Sequence, residues 1–154
     1  MKVIFLDIDG VLNSHQYLSQ VALGEADIYD ELNPEKFKLL QMIVEQIGAS
    51  IVLSSSWRES FEAMKPLESV ARNLLTALKE HGLTIYDMTP ILTGQRDEEI
   101  RQWLSCHVEV DGFVILDDEH FDWKELEAHW VKTSYYMGLT EENAQEALRI
   151  LQQL

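Results

Sequence analysis

The chain has 154 residues, of which 46% are hydrophobic and 9% aromatic. This length fits one domain, since domains commonly have about 100–150 residues, and the apolar content excludes an intrinsically disordered protein. Asp and Glu number 27 against 12 Lys and Arg, which gives a formal net charge of −15. A surface this acidic repels phosphate backbones and anionic lipids. We therefore expect a single domain over residues 1–154, without strong non-specific nucleic-acid binding and without membrane association.

The sequence also indicates where the protein resides. No apolar segment reaches the length of about 18 residues that a membrane-spanning helix needs. The N-terminal apolar segment meets Asp7 too early to contain the core of a signal peptide. Cys106 is the only cysteine, so no intrachain disulfide can form, and we interpret it as an ordinary thiol. These features favour a cytoplasmic protein.

Short apolar runs and amphipathic helical segments alternate along the chain. The predicted strands cover residues 2–6, 50–53, 83–86, 112–116 and 130–133. The predicted helices follow Asn33, surround Leu74, follow Asp97 and follow Thr140, and the first two end at Gly48 and Gly82. This alternation favours an α/β fold, a Rossmann-like three-layer sandwich with a central, mostly parallel sheet.

Acidic residues follow two of these strands at the point where each strand ends. The first strand runs into Asp7, Asp9 and Gly10, and the fourth runs into Asp117 and Asp118. Alternate residues of an extended chain lie on one side, so Asp7 and Asp9 share a side, while Gly10 lets the chain turn away. In a parallel sheet both acid pairs meet at one edge, where their repulsion calls for a hard cation such as Mg²⁺.

These residue types suit phosphoryl transfer. A carboxylate beside Mg²⁺ can attack phosphorus and form an aspartyl-phosphate, and a second acid can protonate the leaving oxygen and then activate water. The hydroxyls of Ser54, Ser55 and Ser56 follow the second strand directly, and Arg96 precedes a helix expected near the fourth. Such hydroxyls and a cation could bind the transferring phosphoryl group.

Four segments follow one another along the chain: FLDIDGVL at 5–12, VLS at 52–54, Arg96, and ILDD at 115–118. In this order they resemble the four motifs of the haloacid dehalogenase (HAD) superfamily. More narrowly, IVLSSSWR at 51–58, TP at 89–90, the segment 96–104 and GLT at 138–140 resemble the HAD domains of Swiss-army-knife RNA-repair proteins. The resemblance extends over nearly the whole chain and implies a HAD-like fold and a Mg²⁺-dependent phosphatase.

The resemblance also implies roles for the acids. Asp7 would be the nucleophile and a metal ligand. Asp9 would be the general acid/base, with its backbone carbonyl on the metal. Asp117 and Asp118 would complete the Mg²⁺ site, one of them directly and the other through water. Which of the two binds directly stays open at this point.

Roles for the other polar residues follow in the same way. Ser54 would bind the phosphoryl oxygens, with Ser55 as the alternative because a one-residue shift of the strand end exchanges the two. Arg96 would neutralise the phosphoryl charge, with Arg101 as the alternative. Ser55 and Arg58 are candidate substrate contacts. For Arg58 a surface salt bridge is an equal alternative.

Three further features of the sequence have a second possible interpretation. Asp-x-Asp-Gly also opens calcium-binding loops, but such a loop requires Gly at its sixth position and Glu at its twelfth, where this chain has Leu18. His120 follows the second acid pair, and we interpret it as a solvated loop residue because Mg²⁺ prefers oxygen ligands. Trp57 is expected near the site, although packing is the more common role for a tryptophan.

The segment between Gly10 and Asn33 is long enough for a flap or a short helix but not for a cap domain. Its larger apolar residues are Tyr17, Leu18, Val21, Ile28 and Tyr29. An open site would admit a polynucleotide end, a phosphoprotein or a small phosphate ester, and the sequence does not choose among these phosphorylated substrates, nor does it indicate the oligomeric state.

The sequence therefore predicts a Mg²⁺-dependent phosphomonoesterase with a minimal cap or none. One alternative is a non-catalytic regulatory or partner-binding module that keeps the Mg²⁺ site. Another is a phosphotransferase or a dehalogenase on the same scaffold. Dehalogenases dispense with Mg²⁺, so Asp117 and Asp118 disfavour that version.

Overall fold

The computed structural model describes residues 1–23 and 32–153. The strands are β1 Lys2–Leu6, β2 Ser50–Leu53, β3 Phe61–Glu62, β4 Lys65–Pro66, β5 Ile85–Met88, β6 Gly112–Asp117 and β7 Trp130–Lys132. The α-helices are α1 His15–Ala22, α2 Pro34–Ile47, α3 Ser69–Glu80, α4 Arg96–Ser105 and α5 Glu141–Gln152. Two 3₁₀ helices cover Ser56–Ser60 and Lys124–His129. No described helix is both long and apolar enough to cross a membrane.

Five strands form one sheet in the order β5-β2-β1-β6-β7, and every neighbouring pair is parallel. Strand β1 is central, with Leu6 in register with Leu53 of β2 and Leu116 of β6. The carboxyl ends of these three strands therefore lie side by side. The predicted α/β, Rossmann-like fold with a parallel central sheet is confirmed.

The alternation of β1 side chains places a core on each face of the sheet. Ile4 and Leu6 pack into the cluster that contains the buried residues of α2, α3 and α5. Val3 and Phe5 pack into the opposite cluster with residues of α4, and the Phe5 ring meets the Trp103 ring edge-on at 5.4 Å. Because β1 is buried on both faces, it is entirely apolar from Val3 to Leu6, and its polar residues begin where it ends.

The local signals for the helix ends are confirmed. The Asn33 side chain accepts the backbone N–H of Glu35, Pro34 occupies the first turn of α2, and Gly48 closes the helix at φ 72°. Thr140 and the side chain of Asn143 form a capping box at the start of α5.

The third strand of the sheet was predicted at residues 83–86, and this boundary is wrong by two residues. Its partners in β2 are Ile51, Val52 and Leu53, which pair with residues from Ile85 to Met88. The backbone N–H of Leu83 instead closes the end of α3 on the carbonyl of Leu78, and the Leu83 side chain is buried. A buried apolar residue at a helix end resembles the start of a strand, because both present one apolar side chain to the core.

The segment after Gly10 carries a short helix, α1, and no cap domain is described there. Ser14 caps α1 by accepting the backbone N–H of Tyr17, whose side chain is buried. Ile28 and Tyr29 lie outside the described residues. The small hairpin of β3 and β4 was not predicted, because two-residue strands leave no periodic pattern.

Candidate active site

The ends of β1 and β6 bring three carboxylates together. The backbone N–H of Asp7 donates to the carbonyl of Leu116 at 3.0 Å, which sets Asp7 beside Asp117. Asp7, Asp117 and Asp118 each offer an oxygen, and these oxygens all lie within 4.8 Å of one another. Asp7 and Asp117 are buried, while Asp118 is half-buried. We call these three residues the acid triad.

Gly10 makes room for this arrangement. Its φ of +80° is a conformation that L side chains rarely adopt, and a Cβ built there would lie 2.6 Å from Cγ and Oδ2 of Asp118. A side chain at this position would push Asp118 away from the triad. The glycine is therefore required both for the turn after Asp9 and for the close approach of Asp118.

Arg96, the first residue of α4, supplies the positive charge beside the triad. Its Nη1 lies 2.7 Å from Oδ2 of Asp117 and 3.2 Å from Oδ1 of Asp7. Arg101 instead pairs with Asp97 at 2.6 Å and Glu125 at 2.7 Å. Of the two arginines considered from the sequence, the structure places Arg96 beside the acids and gives Arg101 other partners.

Burial and crowding disfavour ionised carboxylates in the triad. Burial, and then the neighbouring charge of Asp117, raise the pKa of Asp7 to about 8, although Arg96 acts to lower it. Burial also raises the pKa of Asp117 and of Asp118. For Arg96 burial acts to lower the pKa, but the carboxylates of Asp117 and Asp7 outweigh it, so the pKa is raised and the guanidinium stays charged. Three acids thus face one guanidinium.

This donor set fits a hard divalent cation. All three donors are carboxylates, the ligand type that Mg²⁺ and Ca²⁺ prefer. A cation bound there would also balance the excess negative charge that a single arginine leaves. Asp7, Asp117 and Asp118 are therefore the residues that could hold a metal. HAD proteins are typically metal-dependent, in agreement with this geometry.

The two serines considered from the sequence have different environments. Ser54 follows β2, where its backbone N–H donates to the carbonyl of Leu6 at 2.9 Å, next to Asp7. Its Oγ is buried and has no hydrogen-bond partner within residues 1–23 and 32–153. The Oγ of Ser55 instead accepts the backbone N–H of Trp57 and caps the following 3₁₀ helix. Ser54 is thus the serine with an uncommitted hydroxyl, since buried polar groups normally have a partner.

Asp9 lies at the site but outside the acid triad. Its Oδ1 accepts a hydrogen bond from Nδ2 of Asn13 at 2.8 Å, and its Oδ2 accepts one from Nε1 of Trp57 at 3.0 Å. Asn13 also accepts the backbone N–H of Gly10 through its Oδ1 at 3.0 Å. Sequence reasoning placed Trp57 near the site but missed Asn13, whose only signal is a polar side chain four residues after Asp9.

Arg58 does not form the surface salt bridge considered from the sequence. It is 6% exposed, and its Nη2 pairs with Glu99 at 3.1 Å. Its Nη1 donates to the carbonyl and hydroxyl oxygens of Thr89 and to the carbonyl of Pro90. These contacts make Arg58 an internal link to Thr89, Pro90 and Glu99. No local signal in the sequence pairs Glu99 with Arg58, because the two residues are 41 positions apart.

Two clefts are lined in part by acids of the strand ends. Asp9 and Trp57 line one, of about 460 Å³, and the remaining charged residues along it are Glu59 and Glu68. Asp118 and Lys132 line the other, of about 480 Å³. His120 is an exposed loop residue, as predicted, with Nε2 at 2.8 Å from Nζ of Lys132.

Comparison with known proteins identifies the family. Residues 3–144 match the model described as the HAD domain in Swiss Army Knife RNA repair proteins. No curated protein and no solved structure matches the chain. The matched segment covers most of the 154 residues and includes the acids at both strand ends. The chain therefore belongs to the family of HAD domains in Swiss Army Knife RNA repair proteins, which places it among the HAD-type hydrolases.

Proposed function

We propose that the protein is a Mg²⁺-dependent phosphomonoesterase that forms an aspartyl-phosphate on Asp7. The single observation that carries the proposal is the acid triad, three carboxylates whose oxygens lie within 4.8 Å of one another beside one guanidinium. An arrangement with this much excess negative charge is costly unless it binds a cation and, through it, an anionic substrate.

The acid triad would hold the Mg²⁺. Asp118 is the stronger candidate for a direct ligand. It is half-buried at the cleft, whereas both oxygens of Asp117 already accept hydrogen bonds, from Arg96 and from the backbone N–H of Glu119. When bound, Mg²⁺ would supply charge neutralisation for the carboxylates and for the phosphoryl oxygens.

The chain's own residues would carry out two displacements. In the first, an Asp7 carboxylate oxygen forms a bond to phosphorus, the ester P–O bond breaks, and Asp9 gives its proton to the leaving oxygen. In the second, Asp9 takes a proton from water, whose oxygen bonds to phosphorus and releases Asp7 as a carboxylate. Ser54 Oγ and the Arg96 guanidinium would donate to the phosphoryl oxygens throughout.

The substrate we propose is any accessible phosphomonoester, from a polynucleotide end or a phosphoprotein to a small ester. The described segment that follows Gly10 contributes only the eight-residue helix α1. Within residues 1–23 and 32–153, little surface is therefore available to enclose a small substrate and select it.

The test is hydrolysis of 4-nitrophenyl phosphate with and without Mg²⁺. We expect turnover only with Mg²⁺, and a loss of at least about 10³-fold in Asp7→Asn, because the nucleophile is removed. Asp111→Asn is a matched control, since Asp111 is an exposed acid that pairs with Lys2 at the opposite end of the sheet. Equal rates for Asp7→Asn and the wild type would contradict the proposal. Mg²⁺ binding without any turnover would favour the non-catalytic module.

A further inference from the structure

We infer that Trp57 and Asn13 are positioning residues that hold Asp9 where it can deliver its proton to the leaving group. The inference rests on the proposed function, since it takes Asp9 to be the general acid/base. Neither side chain belongs to the acid triad, so their contribution can be separated from metal binding.

The two residues bind different oxygens of the same carboxylate. Trp57 Nε1 donates to Oδ2 of Asp9 at 3.0 Å, and Asn13 Nδ2 donates to Oδ1 at 2.8 Å. Asp9 is exposed, and an exposed side chain that has no partners exchanges among several rotamers. Two N–H donors on different segments of the chain restrict it to one orientation.

Trp57 lies in a turn that is stabilised by hydrogen bonds to Ser55. Its backbone N–H donates to Oγ of Ser55, and its ring packs against the core on the side of α2 and α3. The next residue, Arg58, donates through Nε to the carbonyl of Ser55 at 2.6 Å and pairs with buried Glu99. Adjacent residues thus have divided roles, because Arg58 anchors the turn internally while Trp57 reaches Asp9.

Asn13 connects Asp9 to the turn that follows it. It is 5% exposed, and its Oδ1 accepts the backbone N–H of Gly10 while its Nδ2 donates to Asp9. One buried amide therefore links the orientation of the carboxylate to the backbone of the turn. This explains why an amide is suited to the position, since both a donor and an acceptor are used.

The position of Trp57 indicates where the leaving group lies. Asp9 and Trp57 line the same cleft, so we place the leaving oxygen, within hydrogen-bond reach of Asp9, on the side of that cleft. Proton delivery matters most for an alkoxide, which is a poor leaving group, and least for 4-nitrophenolate, which departs readily without a proton. The decrease in activity caused by a misplaced Asp9 should therefore be larger for the alkoxide leaving group than for 4-nitrophenolate. A decrease caused by loss of folded protein should be the same for both.

The experiment compares kcat/KM for glycerol phosphate and 4-nitrophenyl phosphate, both with Mg²⁺. We use kcat/KM because it reports the first displacement even when hydrolysis of the aspartyl-phosphate limits kcat. In Trp57→Phe, which removes the indole N–H, the ratio of the two values (glycerol over aryl) should fall at least about tenfold relative to wild type. Asn13→Ala should shift the ratio in the same direction.

Trp103→Phe is the matched control. Trp103 Nε1 also donates to an aspartate, Oδ2 of Asp87 at 2.7 Å, but its ring lies in the core on the opposite face of the sheet. We expect the ratio of kcat/KM values to stay at the wild-type value in this variant. Equal losses on both substrates in Trp57→Phe and Asn13→Ala, or an equal change of the ratio in Trp103→Phe, would overturn the inference.

The outcomes separate the inference from the function on which it rests. A wild-type protein without Mg²⁺-dependent turnover would remove the proposed function and the inference together. If the wild type is active but kcat/KM of the variants falls equally for both substrates, the inference alone is overturned. The increase in melting temperature on Mg²⁺ addition should be the same in all variants, because none of the substituted residues is in the triad. A smaller increase in Trp57→Phe would assign its effect to the metal site and would also overturn the inference.

Discussion

The two buried arginines, Arg58 and Arg96, are held in different ways. Arg58 faces a single carboxylate, that of Glu99, and its other donors reach the oxygens of Ser55, Thr89 and Pro90. Arg96 faces two carboxylates, with a third in the same triad, while its Nε has no hydrogen-bond partner among the described residues.

The difference separates a structural ion pair from a binding site. Charge is balanced and the donors are used around Arg58, so the group is complete without a ligand. Around Arg96 there is excess negative charge and a pair of uncommitted polar atoms, Arg96 Nε and Ser54 Oγ. Excess negative charge together with unpaired polar atoms is typical of a site that binds a ligand, which is why the second arginine marks the candidate active site.

The largest effect expected from this comparison is on stability at the Arg58 pair. Glu99→Gln should lower the free energy of unfolding by about 3–5 kcal/mol, because it leaves a buried guanidinium without its counter-charge. Urea unfolding measures this loss. Activity per folded molecule should change only a few-fold. Little loss of stability would show that the pair is not the internal link described above.

Asp117→Asn should have the opposite effects to Glu99→Gln, with a small change in stability and a large loss of activity. Removing one acid relieves repulsion within the triad, so stability should change by less than about 1 kcal/mol, while kcat/KM should fall at least about 100-fold through weaker Mg²⁺ binding. Parallel urea unfolding and phosphatase assays measure both quantities. A stability loss as large as that of Glu99→Gln would remove the distinction between the two arginines.

The stability of the metal-free protein should fall as pH rises from about 4 to about 8. The pKa of Asp7 is raised from 3.8 to about 8 by burial first and by Asp117 second, so over this range the folded state binds a proton that the unfolded state has released. Stability then decreases by up to about 1.4 kcal/mol per pH unit. Urea unfolding at several pH values measures the slope, which should be smaller in Asp7→Asn and with saturating Mg²⁺. A slope that is unchanged in Asp7→Asn would contradict the assignment of this pH dependence to Asp7.

The smallest effect concerns Gly10, and Gly94 provides its control. Gly10→Ala and Gly94→Ala both introduce a Cβ at positive φ, +80° and +81°, but only the first places it within 4 Å of another residue, Asp118. Each should cost about 1 kcal/mol of stability. Gly10→Ala should in addition lower the Mg²⁺ affinity about tenfold, as displaced carboxylate ligands generally do. Titration of Mg²⁺ by calorimetry checks this, and equal affinities in the two variants would contradict the role of Gly10.

Much of the fold could be predicted because its signals are local. The apolar run of β1 and the polar residues that follow it mark a strand end without any knowledge of the neighbouring strands. Asn33, Pro34 and Gly48 mark the ends of α2 for the same reason, since caps and positive φ depend on a few adjacent residues. The boundary of β5 could not be predicted, because pairing with β2 sets it.

The candidate site was predictable only in part. The sequence by itself determined which acids stand at strand ends and therefore that they meet in a parallel sheet. Tertiary structure alone decided that the Ser54 hydroxyl has no partner among the described residues while Ser55 caps a turn, that Arg96 faces the acids, and that Trp57 and Asn13 donate to Asp9. The physical reason is that hydrogen-bond partners and burial depend on residues distant in sequence, such as Asp9 and Trp57, which are 48 positions apart and meet only when the sheet has formed.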